Sequence, residues 1–146
     1  MRGTLVQLNV SPGGMPKLAV PWAVVTRAGV AGDRQRNLKV HGGPDRAVCL
    51  YSVELYDALR EEGIDLQWGS IGENFTAHGL DLNNLSISAQ LRVGQTVIEI
   101  TKVRVPCRNL HQWDPRLMQI IRGRSGWMAK VIQEGIAKEG DDIEIV

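Results

Sequence analysis

The stretch LSISAQLRVGQTVIEITKVRV, residues 85 to 105, constrains the fold more than any other part of the chain. It is dense in β-branched residues, the composition of strand, and is broken by Gly94-Gln95. Ile98 and Ile100 alternate with Glu99 and Thr101, and the alternation changes phase at Lys102 so that Val103 and Val105 continue it. A side-chain period of two cannot change phase without an extra residue, so this segment predicts a bulge or bend of the kind a curved, closing sheet needs.

The neighbouring segments agree with a sheet-rich fold. TLVQLNV (4 to 10) and VPWAVVT (20 to 26) are strand candidates, with Pro21 marking a sheet edge and SPGGMPK as the loop between them. AVCLY (47 to 51) is a short buried strand, SIGENFTAHGL (70 to 80) an extended segment at a turn, and DDIEIV a closing strand. Three helices are expected. Ser52 caps VELYDALREE, with Glu54 in the first turn, Leu55, Tyr56 and Leu59 on the buried face, and Gly63 as terminator. DPRLMQIIRG opens with an aspartate cap and a proline at the first helical position. SGWMAKVIQEG places Trp127, Met128, Val131 and Ile132 on one stripe. GDRQRNLKVHGGPDR (32 to 46) reads mainly as loop, with short strand character at 38 to 40. The sum is a mainly β (α+β) single domain over residues 1 to 146, a β-barrel core with about three peripheral helices.

Composition narrows the function. Lys plus Arg is 17 and Asp plus Glu is 16, a net charge of +1, which gives no field for drawing in nucleic acid or an anionic membrane. Apolar runs are far short of a bilayer span. MRGTLVQLNVSPGG has no apolar core before a small-residue cleavage site, so a cytoplasmic location is expected. The two cysteines and three histidines form no CxxC, HxxxH or HExxH pair.

Chemistry concentrates in three motifs. In RVPCRNL (104 to 110), Cys107 follows a proline that ends ladder hydrogen bonding and lies between Arg104 and Arg108, whose positive charge favours the thiolate if the fold keeps both heads near the sulfur; in a strand, 104 and 108 point to one face and 107 to the other. Cys49, in AVCLY, has apolar neighbours instead. On the residues alone, a functional thiol and a cysteine plugging the barrel's end both remain open. HGGPDRA (41 to 47) sets His41 and Arg46 around two glycines, which suits backbone amides approaching an anion, with Arg34 adding charge; a tight turn with surface charges is the plainer reading. GENF (72 to 75) either orients a ligand through Glu73 and Asn74 or ties down a turn. His111, four residues past Cys107, is a candidate acid or base, and His78 reads as a loop histidine.

Together GDRQ, HGGPDRAVCLY, GENFTAHGL, RVPCRNL, GRSGWMAKVIQEG and GDDIEIV resemble, in order and spacing, the MOSC domain, named for the C-terminus of molybdenum cofactor sulfurase. The resemblance covers the chain from about residue 20 onward. It implies a closed mixed β-barrel with helices packed around it. It implies a molybdenum cofactor (molybdopterin), with Cys107 as both catalytic residue and molybdenum ligand and Arg34, His41, Arg46, Asn74 and Arg108 around the anionic cofactor. The implied activity is that of an oxidoreductase reducing N-hydroxylated or N-oxide compounds, a small-molecule substrate served by a separate electron-donor protein. In sulfurase-type members the matching cysteine is a sulfur carrier, a persulfide being the alternative for Cys107. Pyridoxal phosphate is also associated with the family, but Lys39, Lys102 and Lys130 lie in structural segments unsuited to a Schiff base.

Overall fold

The computed structural model describes residues 2–13, 15–33 and 47–146. Strand β1 (Arg2–Val10) is followed by β2 (Leu18–Val20), β3 (Trp22–Thr26) and β4 (Gly29–Val30). Next come β5 (Val48–Ser52), helix α1 (Val53–Glu61), β6 (Phe75–His78), β7 (Gln90–Val93) and β8 (Thr96–Val103). The single turn α2 (Leu117–Ile120) precedes β9 (Trp127–Gln133), β10 (Gly135–Lys138) and β11 (Asp142–Ile145). Short 3-10 turns lie at Leu82–Asn84 and Arg108–Gln112. Among the described residues no helix is long and apolar enough to cross a membrane.

Seven strands close on themselves in the order β1-β11-β7-β8-β9-β5-β6 and back to β1, giving the expected closed mixed barrel. Its parallel pair is β5 with β6, connected through α1, and the remaining neighbours described run antiparallel. Closure demands curvature, and the ladder supplies it as register shifts. One lies between Leu5 and Gln7 on β1, and two lie on the β8–β9 seam. The second of these falls between Ile100 and Lys102, so Thr101 is the inserted residue. The phase change in the sequence at Lys102 is this bulge.

Leu5, Leu8, Phe75, Ile98, Ile100 and Ala129 are almost wholly excluded from solvent in the core. β5 is buried at all five positions, and the Tyr56 ring of α1 packs edge-on against its Tyr51 at 4.9 Å. The α1 expectation holds in detail. Ser52 Oγ accepts the Leu55 amide at 3.2 Å, Leu55, Tyr56 and Leu59 are buried, and Gly63 follows the helix at φ +86°. β3, β4 and β10 form a separate small antiparallel sheet, with Pro21 at the break between β2 and β3.

Two helical expectations need correction. Residues 125 to 135 are not a helix. Trp127–Gln133 is the long strand β9, held between β8 and β5, and Gly135 opens β10 instead of ending a helix. The adjacent burial of Met128 and Ala129 imitates a helical stripe because the register shift on the partner strand breaks simple alternation there. Ladder pairing on both sides decides the conformation. The helix expected from Asp114 is shortened to Leu117–Ile120. Asp114 Oδ1 accepts the Arg116 amide at 2.8 Å in a local turn, so the carboxylate caps that turn and not the helix itself. The strand character expected at 38 to 40 lies outside the described residues.

Candidate functional site

β8 ends at Val103, opposite Trp127, and the Arg104 amide makes a last bond to Gly126 O at 3.0 Å. Ser125 Oγ donates to Arg104 O, pinning the strand's exit. Val105 and Pro106 then leave the ladder, and Cys107 stands extended (φ −121°, ψ 163°) as the residue preceding the 3-10 turn Arg108–Gln112. Its carbonyl accepts the Leu110 amide at 3.1 Å, and fully buried Leu110 anchors the turn. Trp113 Nε1 donates to Ser70 O at 2.9 Å, stapling this segment to the 69–74 turn. Cys107 is therefore partly exposed where a strand opens into a loop, as the proline implied. Cys49 is buried, and burial pushes its thiol up from the ordinary range.

The two arginines flanking Cys107 in sequence part company in space. Arg108 is exposed. Arg104 is only 7% exposed, and its Nη2 reaches Met15 Sδ at 3.8 Å. A Cβ on Gly72 would stand 3.6 Å from that same Nη2 and 2.9 Å from Met15 Cγ, so the guanidinium lies directly against the 69–74 turn. Gly72 has φ +94°, a left-handed conformation that glycine alone adopts freely. Arg104 Nη1 is buried with no hydrogen-bond partner among the described residues.

The turn itself is held by two carboxylates, each fully engaged. Glu73 is completely buried; it accepts Tyr56 Oη at 2.7 and 2.8 Å, Thr76 Oγ1 at 2.8 Å and the Gly69 amide at 3.1 Å. Burial raises its carboxyl above the usual range against the pull of these donors. Asp33 accepts Lys17 Nζ at 2.6 Å, Asn74 Nδ2 at 2.9 Å and the Ser11 amide at 2.9 Å, in an ion pair almost closed to solvent. Asn74 also donates to Asn9 O at 3.3 Å and accepts the Cys49 amide at 3.0 Å, which commits its side chain to joining β1, β5 and the turn.

The fold thus brings Arg104, the GEN turn, Met15 and the Lys17–Asp33 pair to one end of the barrel, with Cys107 three residues beyond Arg104 on the same exit. Arg34, His41 and Arg46 lie outside the described residues. His111 is exposed within the 3-10 turn, and His78 is exposed beside Glu54 at 3.8 Å. Sequence reasoning passed over Lys17 and Asp33 and treated Arg104 only as a neighbour of the thiol. Spacing from a proline could not reveal that this cation points inward.

A family model for the MOSC domain matches residues 37–144. The chain is 32% identical over 145 residues to the protein YiiM of Escherichia coli (strain K12), a match covering 92% of this chain and 64% of that one. It is 30% identical over 143 residues to YflK of Bacillus subtilis (strain 168), covering 94% of this chain and 65% of the relative. The chain so spans 64–65% of the length of these curated relatives. The crystal structure of YiiM from Escherichia coli superimposes with a TM-score of 0.80 at 26% identity, over 100% of this chain and 70% of that one. Barrel closure, the exit of β8 into the proline–cysteine segment and a match across most of the length agree: the chain belongs to the MOSC domain family.

Proposed function

We propose that this protein binds the molybdenum cofactor through Cys107 and acts in the cytoplasm as an oxidoreductase on N-hydroxylated or N-oxide compounds, taking electrons from a separate donor protein. The carrying observation is a partly exposed thiol at a proline-fixed strand exit, three residues from a buried guanidinium that has no carboxylate partner among the described residues. These features fit the group. A soft thiolate suits molybdenum, a lone protein ligand leaves other positions on the metal free, and an orphaned cation suits an anionic cofactor. The glycine at 72 keeps the turn's surface low beside that cation. When bound, the cofactor would supply two-electron oxygen transfer at the metal.

The chain's own part is positioning. Pro106 and the Leu110 amide hold the backbone on either side of the sulfur, and the Trp113–Ser70 bond fixes this segment relative to the GEN turn. The Lys17–Asp33–Asn74 linkage fixes Asp33, the second residue of GDRQ, against the GEN turn. Arg34, His41, Arg46 and Arg108 are the further cationic candidates for cofactor contact.

Metal and pterin analysis tests the reading on protein made in a cofactor-producing host. Wild type should carry molybdenum and pterin, Cys107→Ser should lose the molybdenum, and Cys49→Ser should keep it. Metal-free, pterin-free wild type bearing persulfide on Cys107 after alkylation and mass analysis would replace this reading with sulfur transfer.

A further inference from the structure

Arg104 is 93% buried by its 7% exposure, and its environment is wrong for a structural cation. A buried charge is costly unless an opposite charge or several acceptors compensate it. The carboxylates around the GEN turn do not. Glu73 is taken by Tyr56, Thr76 and Gly69, and Asp33 by Lys17, Asn74 and Ser11. Among the described residues, what faces the Arg104 fork is a methionine thioether, a weak acceptor, while Nη1 has no partner. A buried guanidinium with an unpaired arm among the described residues, facing only a thioether, is complementary to an oxyanion.

We infer that Arg104 forms an oxyanion-binding subsite against the 69–74 turn, and that Met15 occupies its mouth when no anion is bound. Met15 is suited to this. Its side chain is unbranched, only partly buried, and lies over both the guanidinium and Gly72. Swinging the thioether aside exposes the fork without moving the backbone. The ligand group is phosphate or carboxylate, both of which accept two parallel bonds from a guanidinium. The subsite deepens the reading of the Cys107 end as a ligand site and rests on it: it adds the class of anionic group the buried guanidinium takes and the side chain that covers it.

Metal-free protein provides the test, so that anion binding and molybdenum loading fail or succeed separately. Inorganic phosphate and acetate are titrated against wild type, Arg104→Met, Arg104→Lys and Met15→Ala by calorimetry and thermal unfolding, with sodium chloride matched in ionic strength. At least one of the two anions should bind wild type beyond the chloride control. Arg104→Met should weaken it about 10- to 100-fold, the loss of a charge-assisted pair, and Arg104→Lys should retain part of the affinity. Met15→Ala should tighten binding, with no such gain when combined with Arg104→Met. In anion-free buffer Arg104→Met should raise the unfolding midpoint by about 3–6 °C, since an uncompensated charge gives way to an apolar chain of similar size. The inference is overturned if Arg104→Met unfolds at lower temperature in that buffer, or if all four proteins respond to the anions as they do to chloride.

Discussion

At the scale of single residues, the chemistry of this protein is set by which polar groups are satisfied. Glu73 sits with no solvent exposure and four short contacts from donors on α1, β6 and its own turn. Because burial lifts its folded value above 4.5, the folded chain holds the proton more tightly than the unfolded one. Stability from this group is therefore complete below about pH 4.5 and declines as pH rises toward the raised folded value. Glu73→Gln keeps the shape and removes the ionisation. Urea unfolding across pH 4 to 8 should show a flatter stability profile for the variant than for wild type, and parallel profiles would exclude Glu73 as the source. The two cysteines show the same principle. Their sequence neighbours already separated them, with apolar surroundings for Cys49 and a proline and two arginines for Cys107, and the fold buries the first and leaves the second partly open. The same neighbours left the placement of the arginines open. Residues four apart around a proline diverge, and nothing local says which of them enters the interior.

At the scale of elements, the strand β9 depends on its glycine start. Gly126 has φ +91°, and a Cβ there would stand 2.4 Å from Leu50 O and 3.0 Å from the Tyr51 ring. Gly126→Ala combines a disfavoured backbone with overpacking against β5 and should cost about 2–4 kcal/mol in chemical denaturation. A loss under 1 kcal/mol would mean that β5 yields more readily than a barrel strand should. Helix α1 was legible down to its cap, because an amphipathic helix with Ser before it and Gly after it carries its instructions within a dozen residues. β9 was not. Its side chains fit a helical stripe as well as a bulged strand, and only the ladders to β8 and β5 distinguish the two.

At the scale of the whole molecule, the barrel is closed by β1 with β11, where Arg2, Gly3 and Thr4 lie opposite Glu144, Ile143 and Asp142. Removing residues 142 to 146 would leave β1 and β7 as open edges flanking an apolar interior, so the truncated chain should form larger species than the full chain in light scattering. A monodisperse truncated monomer would show that β11 is dispensable for closure. What the sequence determined by itself was everything with a short-range code: the alternation and its break at Lys102, the capped helix, the turn glycines, the proline before Cys107, and motifs whose order identifies the family. The tertiary structure alone decided what depends on residues distant along the chain. It made β9 a strand, engaged Asn74 and Glu73 in the interior, paired Lys17 with Asp33, and left Arg104 buried without a counter-charge among the described residues. Satisfaction of a buried polar group is a property of all the atoms around it, and those arrive from strands that share no local pattern.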